Sequence, residues 1–162
     1  MGDALTLYVD ANQKFNVADA VKTSKWLSDF DVAWLEEPVL ADCPWELEEV
    51  AAATDIPIAA GENVYFAWGF QDLCDRQAAS YLQPDIGRCG GVTEWIKIAK
   101  IAETHNLKLT SHLLHEVSTC LVGAFSSGFA VEYMNFFTKN PFTNNFTVKN
   151  GFITLPDVLG HG

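Results

Sequence analysis

The sequence of 162 residues predicts an α/β fold in which short strands alternate with helices around a parallel sheet. Two observations support this prediction. Short apolar runs recur along the chain, and most are followed by a stretch with the periodicity of an amphipathic helix. Each run also closes on an acidic residue, or in one case on a histidine. Parallel strands need crossover connections, and we expect these to be right-handed.

The first unit begins with the apolar run 5–9, which closes on Asp10, and a helix is predicted over 17–30. The second run, 32–35, closes on Glu36, Glu37 and Pro38. Proline stops this strand because it has no N–H to donate to a sheet. One face of the first predicted helix carries small or apolar residues and a serine: Ala20, Val21, Ser24 and Leu27.

The third and fourth runs close on further carboxylates. The run 56–60 ends at Gly61, Glu62 and Asn63, and the run 80–83 ends at Pro84 and Asp85. A helix is predicted between them, over 68–77. A strongly amphipathic helix is predicted next, over about 93–105. Its apolar stripe includes Trp95, Ile98, Ala99 and Ala102.

The last two units complete the series. The run 107–110 closes on Ser111 and His112 and precedes a predicted helix over 116–127. The run 129–131 closes on Glu132. Residues 135–162 are predicted to be a mostly irregular tail with one short hairpin that turns at Asn150 and Gly151.

Six consecutive units suit either part of a (β/α)₈ barrel or an open doubly wound sheet. The glycines at 87, 90 and 91 lack the spacing of a dinucleotide-binding loop, which weakens the second alternative. No linker is evident, so we expect a single domain over 1–162.

Composition excludes several classes of function. A net charge of −11 argues against binding to nucleic acid, whose phosphates require a basic face. The four cysteines are scattered, which argues against a zinc site and favours reduced thiols. No apolar run is long enough to cross a bilayer, and the first residues lack the features of a signal peptide. We therefore expect a cytoplasmic enzyme without a membrane partner.

Polar residues at the strand ends carry the functional prediction. In a barrel, the carboxyl ends of the strands converge on one face, which would gather five carboxylates and a histidine. Crowded carboxylates repel one another, and a hard cation such as Mg²⁺ relieves that repulsion with oxygen ligands. Singly, each residue is more often a helix cap or a surface residue. The six follow one another at intervals of 26, 26, 23, 27 and 20 residues: Asp10, Glu36, Glu62, Asp85, His112 and Glu132. We predict that the first three bind the metal and that the last three carry proton chemistry.

These segments resemble motifs of a known family. The segments 9–12, 34–38, 61–63, 83–85 and 111–112 resemble, in order and spacing, successive motifs of the enolase superfamily. The pair of Asp85 and His112, together with Glu132, resembles the mandelate racemase subgroup. The resemblance covers about 5–160 and implies strands three to eight of a (β/α)₈-type barrel, without the N-terminal capping domain.

The resemblance also implies roles. Asp10, Glu36 and Glu62 would bind Mg²⁺, His112 would be the general base or acid, and Asp85 would orient it. Glu132 would hydrogen-bond the carboxylate of the substrate, an acid sugar or 2-hydroxy acid. The base would remove the proton α to that carboxylate to give an enediolate, followed by dehydration or racemisation.

Some alternatives remain open on the sequence. His115 competes with His112, and Glu37 competes with Glu36, although neighbouring residues of a strand face opposite ways. Asn12 and Asn63 are candidates for supporting the ligands or holding a water. The family's second-strand lysine has no counterpart here, which favours one-base dehydration. It also leaves open a catalytically silent metal-binding or assembly fragment. Two open sheet edges lead us to expect a homo-oligomer.

Overall fold

The computed structural model describes residues 5–134 and 146–155, in which six parallel strands form one curled sheet. The strands lie side by side in chain order: β1 Leu7–Asp10, β2 Val32–Glu36, β3 Ile58–Ala60, β4 Tyr81–Leu82, β5 Lys108–Ser111 and β6 Gly128–Val131. A doubly wound sheet reverses its strand order part-way across, and this sheet does not. The prediction of a partial (β/α)₈-type barrel with six units is therefore confirmed.

One helix follows each of the first five strands, and each helix packs against the next one in sequence. The helices are α1 Val17–Leu27, α2 Pro44–Ala52, α3 Phe66–Asp75, α4 Val92–Thr104 and α5 His115–Gly123. The start and end of α2 were not predicted from the sequence. It begins with Pro44 at its first position, a common helix start, but it is only nine residues long. A short helix shows too few periods for its pattern to be distinctive.

Two predicted helices end earlier than expected. The helix predicted over 17–30 ends at Leu27, and Ser28–Phe30 form a tight 3₁₀ turn closed by Asp31 in the left-handed region. The helix predicted over 116–127 ends at Gly123. Its predicted last residue, Ser127, already belongs to the sheet edge, because its carbonyl accepts a hydrogen bond from the N–H of Leu109.

The core lies between the sheet and the helices. The predicted stripe of α4 is fully buried, as are Ala20, Ser24 and Leu27 of α1. Large apolar side chains without exposed surface fill this layer: Phe70, Leu82, Trp95, Ile98 and Leu109. This apolar layer holds the strands in register and thereby fixes where their ends lie.

An aromatic row crosses the sheet one step below the strand ends. Tyr8, Trp34, Tyr81 and Phe129 stack in turn, with ring centroids 4.2, 5.0 and 5.4 Å apart. Residues two apart on a strand share a face, so Trp34 lies directly below Glu36 and Tyr8 below Asp10. The row therefore forms the floor of the candidate site.

The predicted hairpin is confirmed as β7 Thr147–Lys149 and β8 Phe152–Thr154. Its turn residues, Asn150 and Gly151, both have positive φ, as a two-residue turn of type I′ requires. The rest of the predicted tail, 135–145 and 156–162, lies outside the described residues. Within the described part of the chain, no helix has the length and apolarity that a bilayer crossing needs.

Candidate active site at the carboxyl ends of the strands

All six predicted site residues lie at the carboxyl ends of the strands. Asp10 and Glu36 are the last residues of β1 and β2 and are paired in register. Glu62 lies two residues beyond β3, and Glu132 lies one residue beyond β6. Asp85 and His112 extend the parallel pairing of β4 and β5 by one isolated bridge. We call this polar end of the sheet the rim.

A buried hydrogen bond joins His112 to Asp85. Nδ1 of His112 lies 2.7 Å from Oδ2 of Asp85, and both side chains are almost completely buried. The other oxygen of Asp85 accepts the N–H groups of Gly87 and Arg88, at 2.6 and 3.2 Å. Both oxygens of Asp85 are thus hydrogen-bonded, so the aspartate sets both the orientation and the tautomer of the imidazole.

Burial and the neighbouring charges act in opposite directions on this pair. Burial alone would lower the pKa of His112, but the hydrogen bond to Asp85 and the charges of Glu62 and Glu132 outweigh it, and the pKa is raised. Burial would likewise raise the pKa of Asp85, but the bonds from His112 and Gly87 outweigh it, and that pKa is lowered. The pair therefore favours a charged aspartate beside an imidazole of increased basicity.

Glu62 links this pair to the first half of the rim. Its Oε2 lies 3.3 Å from Nε2 of His112. Its Oε1 accepts hydrogen bonds from Nδ2 of Asn63 at 3.1 Å and from Nη1 of Arg88 at 3.4 Å. The nitrogen of His112 that does not contact Asp85 therefore faces the carboxylate of Glu62.

Glu36 is crowded by like charges. Burial raises the pKa of its carboxyl group to about 7, and the charges of Asp10 and Glu132 add to this. Hydrogen bonds from the side chains of Gln83 and Trp34 act against the rise; Nε1 of Trp34 lies 3.0 Å from Oε2 of Glu36. Asp10 is exposed and accepts the N–H of Asn12 at 2.7 Å.

Glu132 is held on the far side of the rim. Its Oε2 accepts the N–H of Leu113 at 2.7 Å, and its own N–H donates to Oγ of Ser111 at 3.2 Å. Leu113 and Leu114 have φ of 44° and 40°, a left-handed conformation that costs energy for side chains of this size. The turn after His112 is therefore strained, and Glu132 stabilises it.

The donor set of the rim suits a hard divalent cation. It consists of carboxylate oxygens, and burial together with mutual repulsion disfavours the charged form of Glu36 in the absence of a cation. Within 5–134 and 146–155, however, no three His, Cys, Asp or Glu side chains already converge as a metal-holding group. The carboxyl group of Glu36 is affected by the charges of Asp10 and Glu132. The carboxylate of Glu62 instead contacts Arg88 and His112.

The two competitors have different surroundings. His115 is the first residue of α5, is buried against the ring of Tyr133, and lies 3.5 Å from Glu116 rather than beside Asp85. Glu37 is 2% exposed and accepts hydrogen bonds from Gln13 and Asn63.

Arg88 lies at the rim but was not among the site residues predicted from the sequence. Nη1 of its guanidinium reaches the side chains of Glu62 and Asn63, and its Nε lies 3.9 Å from Asp85. The sequence did contain one indication of this role, since Arg88 follows Asp85 by three residues within the glycine-containing loop.

Comparison with known proteins identifies the family of this chain. A sequence model of the family described as enolase C-terminal domain-like matches residues 1–162. The chain is 30% identical over its full length to a 3,6-anhydro-alpha-L-galactonate cycloisomerase of Streptomyces coelicolor, and covers 45% of it. It is 31% identical to an L-talarate/galactarate dehydratase of Salmonella typhimurium, again over the full chain, and covers 40% of it.

Solved structures give the same result. The structure of an L-talarate dehydratase from Polaromonas sp. JS666, complexed with Mg and L-glucarate, superposes with a TM-score of 0.94 at 33% identity. The match covers the whole of this chain and 45% of that one. The chain thus spans less than half the length of the relatives it matches. The match of the family model to residues 1–162 shows that this chain belongs to the enolase C-terminal domain-like family.

Proposed function

We propose that this chain carries most of the active site of a Mg²⁺-dependent enzyme that removes the proton α to the carboxylate of an acid sugar. The observation that carries the proposal is the buried 2.7 Å hydrogen bond between His112 and Asp85, with Nε2 of His112 facing Glu62. Only a histidine fixed on one nitrogen presents the other nitrogen to a substrate in a defined orientation. Relatives that act on acid sugars or bind Mg and L-glucarate support the substrate class.

In this proposal Asp10, Glu36 and Glu62 hold the cation. Bound Mg²⁺ would supply Lewis-acid stabilisation of the negative charge that develops on the substrate carboxylate. Burial, together with the charges of Asp10 and Glu132, raises the pKa of Glu36, and a bound cation would offset both effects. Rotation of the Glu62 side chain away from Arg88 would bring the third carboxylate toward the other two.

The proton chemistry belongs to the other half of the rim. Nε2 of His112 takes the α-proton, the electron pair of the broken C–H bond moves into the substrate carboxylate, and Asp85 stabilises the imidazolium through Nδ1. In this proposal the carboxyl group of Glu132 acts as an acid and donates a hydrogen bond to a carboxylate oxygen of the substrate. In a dehydration, the electron pair of the enediolate then forms a Cα=Cβ double bond while the β-hydroxyl takes the proton of His112 and leaves as water, and the resulting enol tautomerises to a 2-keto acid. Relatives that are dehydratases lead us to favour dehydration over racemisation.

The test combines binding and turnover on the full chain. We expect isothermal titration to show Mg²⁺ binding that Glu62→Gln abolishes. We also expect formation of a 2-keto acid from galactarate, L-talarate or glucarate that His112→Asn abolishes. Binding without turnover would instead support the alternative of a catalytically silent metal-binding fragment. Absence of Mg²⁺ binding would contradict the proposal.

We also propose that the chain self-associates through its sheet edges. Within the described residues, β1 and β6 each pair with a strand on one side only. The aromatic row is half-exposed at these same edges, at Tyr8 and Phe129. Unpaired parallel edges beside exposed aromatic rings favour association. Light scattering coupled to size exclusion should give a mass above that of one chain, and a monomer at working concentration would contradict this.

A further inference from the structure

Glu37 connects two loops at the rim: the loop after β1, which follows Asp10, and the loop after β3, which contains Glu62. It follows Glu36 directly, yet it is 2% exposed and lies among these loops. Its Oε2 accepts a hydrogen bond from Nε2 of Gln13 in the loop after β1, at 2.9 Å. The same oxygen accepts one from Nδ2 of Asn63 in the loop after β3, also at 2.9 Å. One carboxylate oxygen therefore joins loops that are 50 residues apart in the chain.

The backbone around Glu37 repeats this connection. Its N–H donates to the carbonyl of Ala59 at 3.0 Å, and its carbonyl accepts the N–H of Gln13 at 2.7 Å. Both Gln13 and Glu37 have positive φ, of 60° and 35°. Side chains rarely adopt this conformation, and it persists only where surrounding contacts compensate its cost. The strained loops are thus maintained by the hydrogen bonds that converge on Glu37.

A continuous hydrogen-bonded chain leads from Glu37 to a candidate ligand. Nδ2 of Asn63 is shared between Oε2 of Glu37 and Oε1 of Glu62, and Oδ1 of Asn63 accepts Nη1 of Arg88 at 3.0 Å. Loss of the acceptor at Glu37 would leave the amide of Asn63 held only by Glu62 and Arg88. The orientation of Glu62, which also contacts Arg88 and His112, would then be less constrained.

We infer that Glu37 is a positioning residue, whose carboxylate holds Gln13 and Asn63 so that Asp10, Glu36 and Glu62 can bind one cation. The inference rests on the proposed function, because it assumes that these three residues bind Mg²⁺. Partners that orient metal ligands typically contribute about 10- to 100-fold to metal affinity. The effect is expected to come through Asn63 and Gln13, because Oε2 of Glu37 accepts both amides, whereas its Oε1 is buried and has no hydrogen-bond partner among the described residues.

The test compares two substitutions at this position. Glu37→Met removes the acceptor while keeping a similar volume, and we expect Mg²⁺ affinity to fall by at least about tenfold in isothermal titration. Glu37→Gln keeps one oxygen that can accept both amides, so its loss should be less than tenfold. Glu36→Gln, a change in a candidate ligand, should lose more than either. If Glu37→Gln lost as much as Glu36→Gln, Glu37 would be a ligand itself, and the inference would be overturned.

A control separates positioning from general destabilisation. Ile98→Ala removes buried side-chain volume in α4, outside the rim, and should lower stability while leaving Mg²⁺ affinity unchanged. Should Ile98→Ala weaken Mg²⁺ binding as much as Glu37→Met, the effect would be one of stability, and the inference would fail. Where Glu37→Met does not fold, Gln13→Met removes one half of the same connection and replaces it in the test.

A measurement without metal distinguishes this inference from the proposed function. Hydrogen exchange should become faster in segments 11–15 and 61–66 of Glu37→Met, but not in Glu37→Gln or Ile98→Ala. If exchange changes in this way while the unsubstituted chain binds no Mg²⁺, the proposed function fails and the connecting role of Glu37 stands. Unchanged exchange in both segments of Glu37→Met would overturn the inference, whatever the chain binds.

Discussion

The body of the molecule and its rim are built on opposite physical principles. The body, formed by the strands, the helices and the layer between them, buries apolar side chains such as Trp95 and Ile98. The rim buries charged groups instead: Glu37, Glu62, Asp85 and His112 are each less than a tenth exposed. Burial of apolar surface stabilises a fold, whereas burial of charge costs free energy unless the charge is paired.

Backbone conformation at the rim is costly as well, although positive φ also occurs at the opposite end of the sheet, at Asp31, Gln77 and Asn106. Several rim loops contain non-glycine residues with positive φ: Asn12, Gln13, Glu37, Leu113 and Leu114. Strain of this kind persists only where surrounding structure compensates for it. We infer that the body provides the stability with which the rim can hold its carboxylates in an otherwise unfavourable arrangement.

The largest effect should come from opening a cavity in the body. Ile98 lies in α4 and has no exposed surface, so Ile98→Ala should lower the free energy of unfolding by about 2–5 kcal/mol. Ile96 lies two residues away in the same helix and is 42% exposed, so Ile96→Ala should cost less than about 1 kcal/mol. Urea denaturation of both variants measures the difference. Equal losses would contradict the contrast in burial between the two faces of the helix.

A smaller but still large effect is expected where α5 meets β6. A Cβ at Gly128 would lie 2.0 Å from the carbonyl oxygen of Val122, so Gly128→Ala must displace backbone. We expect a loss of about 1–3 kcal/mol or more in the free energy of unfolding. Gly123→Ala, in α5, meets a side-chain carbon at an ordinary 3.4 Å and should be tolerated. Thermal unfolding compares the two, and an unchanged melting temperature for Gly128→Ala would show that this approach is not close in solution.

The contrast between body and rim also explains what the sequence could predict. The strands and the stripe of α4 follow from periodicity, because apolar burial leaves a repeating signal. The six strand-end residues were identifiable because each directly follows an apolar run. Arg88 and the connecting role of Glu37 were not identifiable in this way. Their roles depend on contacts between loops, such as that of Glu37 with Asn63, which are fixed only when the strands assemble.

The free energy of unfolding should depend on pH, because the rim buries the carboxyl group of Glu36. Burial raises the pKa of Glu36 to about 7, so the folded chain holds a proton there that the unfolded chain releases above about 4.5. The free energy of unfolding should therefore decrease as pH rises from about 4.5 to about 7, by on the order of 2 kcal/mol after allowance for partial exposure. Glu36→Gln cannot titrate and should lack this component.

Urea denaturation at pH 5 and pH 8 in the presence of a chelator measures this component. The change with pH in the unsubstituted chain, minus the change in Glu36→Gln, isolates the carboxyl of Glu36 from other titrating groups such as His112. A difference near zero would mean that Glu36 is neither buried nor crowded by Asp10 and Glu132 in solution. The rim would then impose less electrostatic cost on the fold than its geometry indicates.

The smallest expected loss of stability concerns Asn16, the residue that caps the start of α1. Asn16 lies in the loop after β1, and its Oδ1 accepts the N–H of Asp19 at 2.9 Å, which caps the start of α1. Asn16→Ala leaves that N–H without its acceptor and should cost about 1 kcal/mol, whereas Asn16→Ser keeps an oxygen that can accept it and should cost less. Urea denaturation resolves the two variants. If Asn16→Ala matched Asn16→Ser, the cap would contribute nothing, and the stabilising contacts at this end of α1 would lie in its buried face alone.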